Sequence, residues 1–169
     1  MILVTPNLII APMAYEDLAV VWRWKTGKEG RAMHTLVPIE ASYEAFCGDF
    51  WHAQRSCQVA CMCHAKGTLE PVGAFWGVQF SPHYPELLVS VIFSAKAQGS
   101  GIPFEAGMAL VGHFVRQGAR RLAVYIDERN RPAARLARQL GFGQEGLMCY
   151  PGKASVGIWA FTVDGNESL

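Results

Sequence analysis

An apolar segment near the middle of the chain leads into a glycine-rich turn, and the turn leads directly into an amphipathic stretch. Leu87 to Phe93 place apolar residues on both faces of a strand, which is typical of a central strand covered on each side. The turn, Gln98 to Pro103, contains small residues that let the backbone approach an anion, and the free N–H groups of a following helix would point at it. The sequence therefore predicts a strand, a phosphate-binding turn and a helix in direct succession.

A second motif begins at Asn130 and gives the first one a specific context. Arg131 to Leu140 has the composition of a short helix, with Pro132 at its start and Gly141 as its stop. A glycine-rich turn alone is weak evidence for a binding site, and the second motif is what strengthens it.

Together the two motifs resemble those of the GNAT superfamily, the N-acetyltransferases that carry an acyl group from acetyl-CoA to an amine. In that family the cofactor loop reads Gln or Arg, two residues, Gly, one residue, and then Gly or Ala. Gln98 and Gly101 fill the first two defined positions, whereas Pro103 departs from the third. Asn130 and Ala133 match the Asn-x-x-Ala or Asn-x-x-Ser helix of the family, which ends in Leu-Gly-Phe as this one does.

Finer features are most similar to the branch that contains the ribosomal-protein N-terminal acetyltransferases, the RimJ/RimL-like proteins. These features are Glu105-Ala106 after the loop and Gly146 soon after the Gly-Phe pair. The resemblance covers most of the chain. It implies a single GNAT domain over residues 1–169, of the α/β (α+β) class, with a mixed central sheet of about seven strands flanked by about four helices.

The resemblance implies the element order β-α-α-β-β-β-α-β-α-β-β, and residue periodicity predicts the same order independently. The predicted strands are Leu8–Pro12, Cys57–His64, Val72–Phe80, Leu87–Phe93, Leu122–Ile126, Gly146–Tyr150 and Val156–Val163. The predicted helices are Tyr15–Trp24, one that Ser42 caps, one after the glycine-rich turn, and Arg131–Leu140. In the third helix, apolar residues recur at spacings of four, three and four, so we expect that stripe to face the sheet. The stripe consists of Phe104, Met108, Val111 and Val115.

Charge and hydropathy exclude several classes of protein. Fifteen basic and fourteen acidic residues leave a formal net charge of +1, so there is no electrostatic footprint for nucleic acid or an anionic membrane. The opening residues, Met1 to Pro6, lack a basic leader region, and no uncharged apolar run approaches about 18 residues. We therefore expect a cytoplasmic protein with no nucleic-acid or membrane partner.

Three of the five cysteines are clustered, which raises the question of a metal site. Cys57, Cys61 and Cys63 share one face of the predicted strand, where free cysteine behaves as a small apolar residue. A zinc site normally combines a Cys-x-x-Cys pair with a second pair far away in sequence, and the chain has no such arrangement. We predict core packing and no bound metal; a metal or redox role is the alternative.

The resemblance implies an acetyl-CoA-dependent N-acetyltransferase, with acetyl-CoA as cosubstrate and a primary amine, small-molecule or protein, as acceptor. Backbone N–H groups of the loop are expected at the CoA pyrophosphate. The fourth strand is expected to end in the N–H group that stabilises the oxyanion. Asn130 is expected either to reach the pantetheine or the neighbouring strand, or to act as a helix cap. The predicted cofactor-binding residues are Phe93, Ser94, Gln98, Gly99, Ser100, Gly101, Ile102 and Asn130.

Two proton transfers need candidate residues. A lysine-like amine is protonated at neutral pH, so a base must accept a proton. Glu86, at the start of the central strand, is the candidate base, and a solvated turn residue is the alternative interpretation. For the leaving thiolate, many family members use a Tyr seven residues after the Asn, where this chain has Ala137. Tyr150 and Tyr125 are the remaining candidate donors, with core or sheet packing as the alternative for both.

Other functions fit parts of the pattern. A non-catalytic acyl-CoA-binding or assembly module on the same fold is the main alternative, because Pro103 and Ala137 depart from the family pattern. A metal-dependent nucleic-acid module built on the cysteine cluster is a more distant one. The apolar last strands are compatible with a homodimer. The identity of the acceptor is not encoded in any motif that we recognise.

Overall fold

The computed structural model describes residues 1–27, 42–48, 57–81, 84–149 and 154–163, and in these residues eight strands form one mixed sheet. The strands are β1 (Leu3–Val4), β2 (Leu8–Pro12), β3 (Cys57–Ala65), β4 (Pro71–Ser81), β5 (Tyr84–Phe93), β6 (Arg121–Asp127), β7 (Gly143–Met148) and β8 (Val156–Thr162). Their spatial order is β1-β2-β3-β4-β5-β6-β8-β7. β5 and β6 run parallel, and the other neighbouring strands are antiparallel.

In the described residues, four α-helical segments flank the sheet. They are α1 (Leu18–Thr26), which follows a 3-10 turn at Tyr15–Asp17, α2 (43–48), α3 (Ile102–Arg116) and α4 (Arg131–Gln139). The mixed α/β class is confirmed, and the eighth strand is the two-residue β1. None of the helices in the described part is long and apolar enough to cross a membrane.

The helix starts follow from local capping. The Ser42 hydroxyl accepts a hydrogen bond from the Ala45 N–H at 3.2 Å, as expected for a residue that caps α2. The Asn130 side-chain oxygen accepts from the Ala133 N–H at 3.1 Å at the start of α4. Gly141, with φ +87°, follows α4 in a left-handed conformation that favours glycine. These local signals explain why the helix boundaries were predictable.

Several element predictions were wrong in detail, and β5, predicted from Leu87, begins at Tyr84. The stripe of α3 that faces the sheet is Ala106, Leu110 and Phe114, whereas Phe104 and Met108 are 41% and 51% exposed. The small side chain of Ala106 lets the helix lie close to the sheet, and this rotates the larger apolar residues outward. Strand β7 begins at Gly143, three residues earlier than predicted, because pairing with β8 at the sheet edge extends it through exposed residues.

Hydrophobic residues pack on both faces of the sheet. One cluster includes Leu87, Val89 and Leu122 and lies under α3 and α4; the other includes Ile92 and lies under α1 and α2. Cys61 and Cys63 are buried in the first cluster, which confirms core packing for these two residues. Burial raises the pKa of Cys61 to about 11 and that of Cys63 to about 12, so both thiols stay protonated at neutral pH. The Cys57 side chain lies outside the described part.

Candidate active site

The parallel strands β5 and β6 separate after a short region of pairing. They are paired at Glu86 with Arg121, Leu87 with Leu122 and Leu88 with Ala123. Beyond this point residues 89–93 of β5 and 124–127 of β6 continue without pairing to each other, and we call the space between them the wedge. Residues from both edges line a cavity of about 500 Å³. The backbone groups of two unpaired strand edges therefore lie in the middle of the sheet, and not at its outer edges.

Hydrogen-bond alternation shows which backbone groups face the wedge. The Ser94 N–H donates to the Val72 carbonyl oxygen at 2.9 Å, so the bonds from β5 to β4 fall on even-numbered residues. The N–H groups of Val91 and Phe93 consequently point the other way, toward the wedge. Of the N–H groups predicted at the end of this strand, that of Phe93 therefore faces the wedge, whereas that of Ser94 is engaged by Val72.

The glycine-rich turn leaves a set of free backbone donors at the start of α3. Gly99 has φ +74°, which favours glycine. The Ser100 hydroxyl donates to the Ala97 carbonyl at 2.7 Å and accepts from the Ile102 N–H at 3.2 Å, so the predicted Ile102 donor is used within the loop. The N–H groups of Gly99, Gly101 and Phe104 have no acceptor among the described residues. These three donors make the turn suited to an anion.

Gln98 has a structural part in this turn. Its side-chain amide donates to the Phe93 carbonyl oxygen at 3.2 Å, and its backbone N–H donates to the Ser94 carbonyl at 3.2 Å. The Gln98 N–H, which was predicted to reach the pyrophosphate, is therefore used within the turn, and the Gln98 side chain connects the turn to the end of β5. The predicted donors extended only as far as Ile102, so the Phe104 N–H, which follows Pro103 in the first helical turn, was missed.

A carboxylate latch holds the first turn of α3 against the β1–β2 turn. The Glu105 carboxylate accepts hydrogen bonds from the Thr5 hydroxyl and from the backbone and side-chain N–H groups of Asn7, the latter two at 2.8 Å. Partial burial alone would raise the pKa of Glu105, but these hydrogen bonds and the charge of Lys66 outweigh it, so the pKa is lowered from its ordinary value. The latch fixes the helix end on which the anion site depends.

The start of α4 follows the end of β6 that does not pair with β5, and it contributes to the lining of the cavity. Asn130 caps the helix and also lines the cavity, so the structure gives it the predicted capping role in a position where its amide faces the site. Buried Asp127, at the end of β6, accepts two side-chain hydrogen bonds from Arg129, at 3.0 and 2.9 Å, and one from its backbone N–H at 2.8 Å. This ion pair, which the sequence analysis missed, fixes the turn that leads from β6 to Asn130.

Glu86 lies at the paired end of the wedge. Its carboxylate pairs with Arg121, and Arg121 also pairs with Glu145 of β7. Because side chains alternate between the two faces of a strand, Glu86 shares its face with Ser90 but lies four residues, or about 13 Å, along the strand. Glu86 does not line the described part of the cavity, so any proton it accepts from the wedge would have to pass through water. Its catalytic role stays a prediction. Tyr150 lies outside the described residues.

Tyr125 is the hydroxyl-bearing ring inside the wedge. It lines the cavity and is 42% exposed, so it is not a core residue, and it pairs with Ile158 of β8 within the sheet. Continuing the register of β5 and β6 places it level with Ser90, on the face that carries α1 and α2. Ala137, at the family's usual tyrosine position, also lines the cavity and supplies no proton donor.

The cavity is lined from both faces of the sheet. Val21, Phe46 and Trp76 contribute from the face of α1 and α2, and Gly107, Leu110 and Ala137 from the face of α3 and α4. The wedge is therefore a passage through the sheet, in which two reactants can meet from opposite sides. In the described part of the chain no three His, Cys, Asp or Glu side chains converge as metal ligands.

Comparison with known proteins identifies the family. Residues 7–143 match the family model described as an acetyltransferase (GNAT) domain. The chain belongs to this GNAT acetyltransferase family. The match spans both the glycine-rich turn and the Asn130 helix, so the motif-based resemblance is confirmed. We found no match among curated proteins.

Solved GNAT structures have the same fold over nearly their full length. A GNAT-family acetyltransferase from Bacillus anthracis is 16% identical, with a TM-score of 0.79, and the match covers 96% of this chain and 98% of that one. The ribosomal-protein alpha-N acetyltransferase RimL, in complex with coenzyme A, is 18% identical with a TM-score of 0.80, covering 98% and 100%. Spermidine N-acetyltransferase from Vibrio cholerae, in complex with CoA and spermine, is 11% identical with a TM-score of 0.79, covering 94% and 96%. At these identities the likeness establishes the shared GNAT fold.

Proposed function

We propose that this GNAT protein transfers the acetyl group of acetyl-CoA directly to a primary amine, without a covalent enzyme intermediate, in the wedge between β5 and β6. The observation that carries the proposal is the continuity of two kinds of free backbone donor. The anion-binding N–H groups at Gly99, Gly101 and Phe104 lead into the unpaired edge of β5. One elongated ligand with a phosphate part and an amide-bearing arm fits both.

The residues present fit acetyl-CoA. The three N–H groups of the turn would hold the pyrophosphate, and the first turn of α3 carries one acidic residue, Glu105, whose carboxylate is occupied by Thr5 and Asn7. The unpaired edges of β5 and β6 would hydrogen-bond the pantetheine amides. Bound acetyl-CoA supplies an acyl group activated as a thioester.

The chain's own groups address the rest of the reaction. The Phe93 N–H, which faces the wedge, is the proposed donor to the acyl oxygen as negative charge develops there, and such preorganised donors supply a large part of catalysis in acyl transfer. The Tyr125 hydroxyl is the group in the described cavity best placed to give a proton to the thiolate. Glu86, through water, is the proposed acceptor of the amine proton.

The alternative is a non-catalytic acyl-CoA-binding module, and one observation favours it. The position of the usual acid is Ala137, and the candidate base Glu86 is paired with Arg121. The two functions differ in whether thiol is released: a binding module retains acetyl-CoA, whereas an acetyltransferase releases free CoA when an acceptor amine is added.

Calorimetric titration with acetyl-CoA tests the proposal, with substitutions at Gly101. A Cβ atom at Gly101 meets nothing within 4 Å and its φ is −70°, so Gly101→Ala should bind like the wild type. Gly101→Glu places a carboxylate in the anion site and should weaken binding by about 100-fold or more, which corresponds to about 2.7 kcal/mol. If both variants bind acetyl-CoA equally well, the glycine-rich turn is not the anion site. Binding without amine-dependent CoA release, over a broad amine panel, would favour the non-catalytic module.

A further inference from the structure

The face of the cavity from which an acceptor must enter is lined largely by apolar side chains. We call this surface the acceptor wall, and it consists of Val21, Phe46, Trp76 and Leu88. These residues come from α1, α2, β4 and β5, on the side of the sheet opposite to the glycine-rich turn. The described polar groups at the level where the amine must react are Ser90 and Tyr125. Polar groups therefore lie near the reacting nitrogen, and apolar groups surround the part of the acceptor behind it.

Aromatic packing holds the Phe46 ring of the acceptor wall in place. The Phe46 ring is buried and lies 5.2 Å, centroid to centroid, from Trp22 and 6.5 Å from Tyr43, within the range in which rings attract each other. A ring held in this way offers a fixed flat surface for another ring. The cavity volume of about 500 Å³ has to hold both the acyl arm and the acceptor, so the part of the acceptor inside it is small.

Two strand carboxylates on this face are already paired with arginines. Glu86 pairs with Arg121, and Asp127 accepts two side-chain hydrogen bonds from Arg129. The Lys25 ammonium lies 5.4 Å from the centroid of the Phe46 ring, so this ring already contacts a cation. The Glu86 and Asp127 carboxylates and the Phe46 ring are thus already engaged by cations, and Lys25 itself lines the cavity, so its positive charge would repel the second charge of a polycationic acceptor.

We infer that the acceptor is a primary amine on an apolar, ring-sized body, with no second cationic centre near the reacting nitrogen. The inference rests on the proposed acetyltransferase function and adds the substrate class. The same chemistry is found in free arylalkylamines and in a peptide whose first residue is aromatic.

The experiment compares specificity constants for three acceptors at one pH, followed by release of CoA thiol. The probes are 2-phenylethylamine, the peptide Phe-Gly-Gly and spermidine. We expect at least one aromatic amine to exceed spermidine by about 10-fold or more, the discrimination that burial of an apolar group gives. Preference for the free amine or for the peptide identifies the source. Spermidine used equally well or better would overturn the inference while leaving acetyl transfer intact.

A pair of variants tests whether the acceptor wall causes the preference. Phe46→Leu keeps an apolar side chain but removes the ring, and should lower the ratio of aromatic amine to spermidine by about 5-fold. Tyr43→Phe is the matched control, because Tyr43 packs on Phe46 without lining the described cavity. A hydrogen bond to Cys47 raises the pKa of Tyr43 to about 12, so its hydroxyl is engaged away from the site. An unchanged ratio in Phe46→Leu would overturn the role of the wall. Acetyl-CoA binding with no CoA release from any amine of the broad panel would instead contradict the proposed function, whereas release with other amines but with neither aromatic probe would overturn the inference alone.

Discussion

The two sides of the wedge are built in different ways. The donor side, under α3 and α4, uses backbone N–H groups from one continuous segment that runs from Val91 to Phe104. The acceptor side uses side chains from α1, α2, β4 and β6, which are far apart in sequence. The donor side therefore depends on the shape of the backbone, and the acceptor side on which side chains happen to meet there. Substitutions should affect the two sides differently.

The largest effect is expected on the acceptor side, at Tyr125. Tyr125→Phe removes the hydroxyl and should lower kcat by about 100-fold, as expected when a general acid is lost, while acetyl-CoA affinity changes little. Steady-state kinetics and calorimetry measure the two quantities separately. Tyr15→Phe is the control, because Tyr15 does not line the described cavity. A Tyr125→Phe enzyme with normal kcat would show that the proton comes from elsewhere.

On the donor side, the next effect is expected from an added methyl group at Gly73. A Cβ atom there would lie 2.5 Å from the Phe93 ring, so Gly73→Ala should push the ring toward the wedge and weaken acetyl-CoA binding by about 10-fold. At Gly77, on the same strand, a Cβ atom would make ordinary contacts of 3.8 and 3.9 Å, so Gly77→Ala is the matched control. If both variants bind alike, the Phe93 ring does not set the width of the donor side.

Asn130 has two roles in the structure, because it caps α4 and also lines the cavity. Asn130→Ala should lower the free energy of unfolding by about 1 kcal/mol through loss of the cap. Asn130→Ser retains a capping oxygen and should recover most of that stability in urea denaturation. Its kinetics then report on the amide alone. A normal KM for acetyl-CoA in Asn130→Ser would limit the residue to capping.

The smallest effect is expected at the Glu105 latch, and it depends on pH. Because the folded-state pKa of Glu105 is lowered, the latch stabilises the protein above the unfolded-state pKa of about 4.3, and this contribution is lost as the pH falls through the folded-state value. Glu105→Gln should therefore lower the free energy of unfolding at pH 7 by about 0.5 to 1 kcal/mol. The difference from the wild type should shrink below about pH 4. A difference independent of pH would mean that the carboxylate charge plays no part.

The donor side was largely predictable because its signals are local in sequence. The strand, the turn at Gly99 and Gly101, and the cap at Asn130 each follow from a few adjacent residues. The exceptions are backbone details. Which N–H is free depends on pairing with β4, which engages Ser94, and on the Ser100 hydroxyl, which engages Ile102. No sequence motif encodes these partners.

Features that depend on tertiary packing were less predictable, both on the acceptor side and in α3. Periodicity alone chose Phe104 and Met108 as the buried stripe of α3, whereas helix rotation set by Ala106 exposes them. In the same way, the position of Tyr125 level with Ser90 follows from the parallel register of β5 and β6, which spans 35 residues of sequence. The same register pairs Glu86 with Arg121, so the carboxylate predicted to act as the base forms an ion pair that the sequence did not reveal.

The short junction between β5 and β6 has a mechanical consequence. Within the described sheet, strands β1 to β5 and strands β6 to β8 share a seam of three residue pairs. Arg121 reinforces that seam by joining Glu86 of β5 to Glu145 of β7. A ligand that hydrogen-bonds both edges of the wedge would act as an additional strand and lengthen the seam. The cosubstrate would then be part of the architecture as well as a reactant, and each catalytic cycle would remove and restore a piece of the sheet.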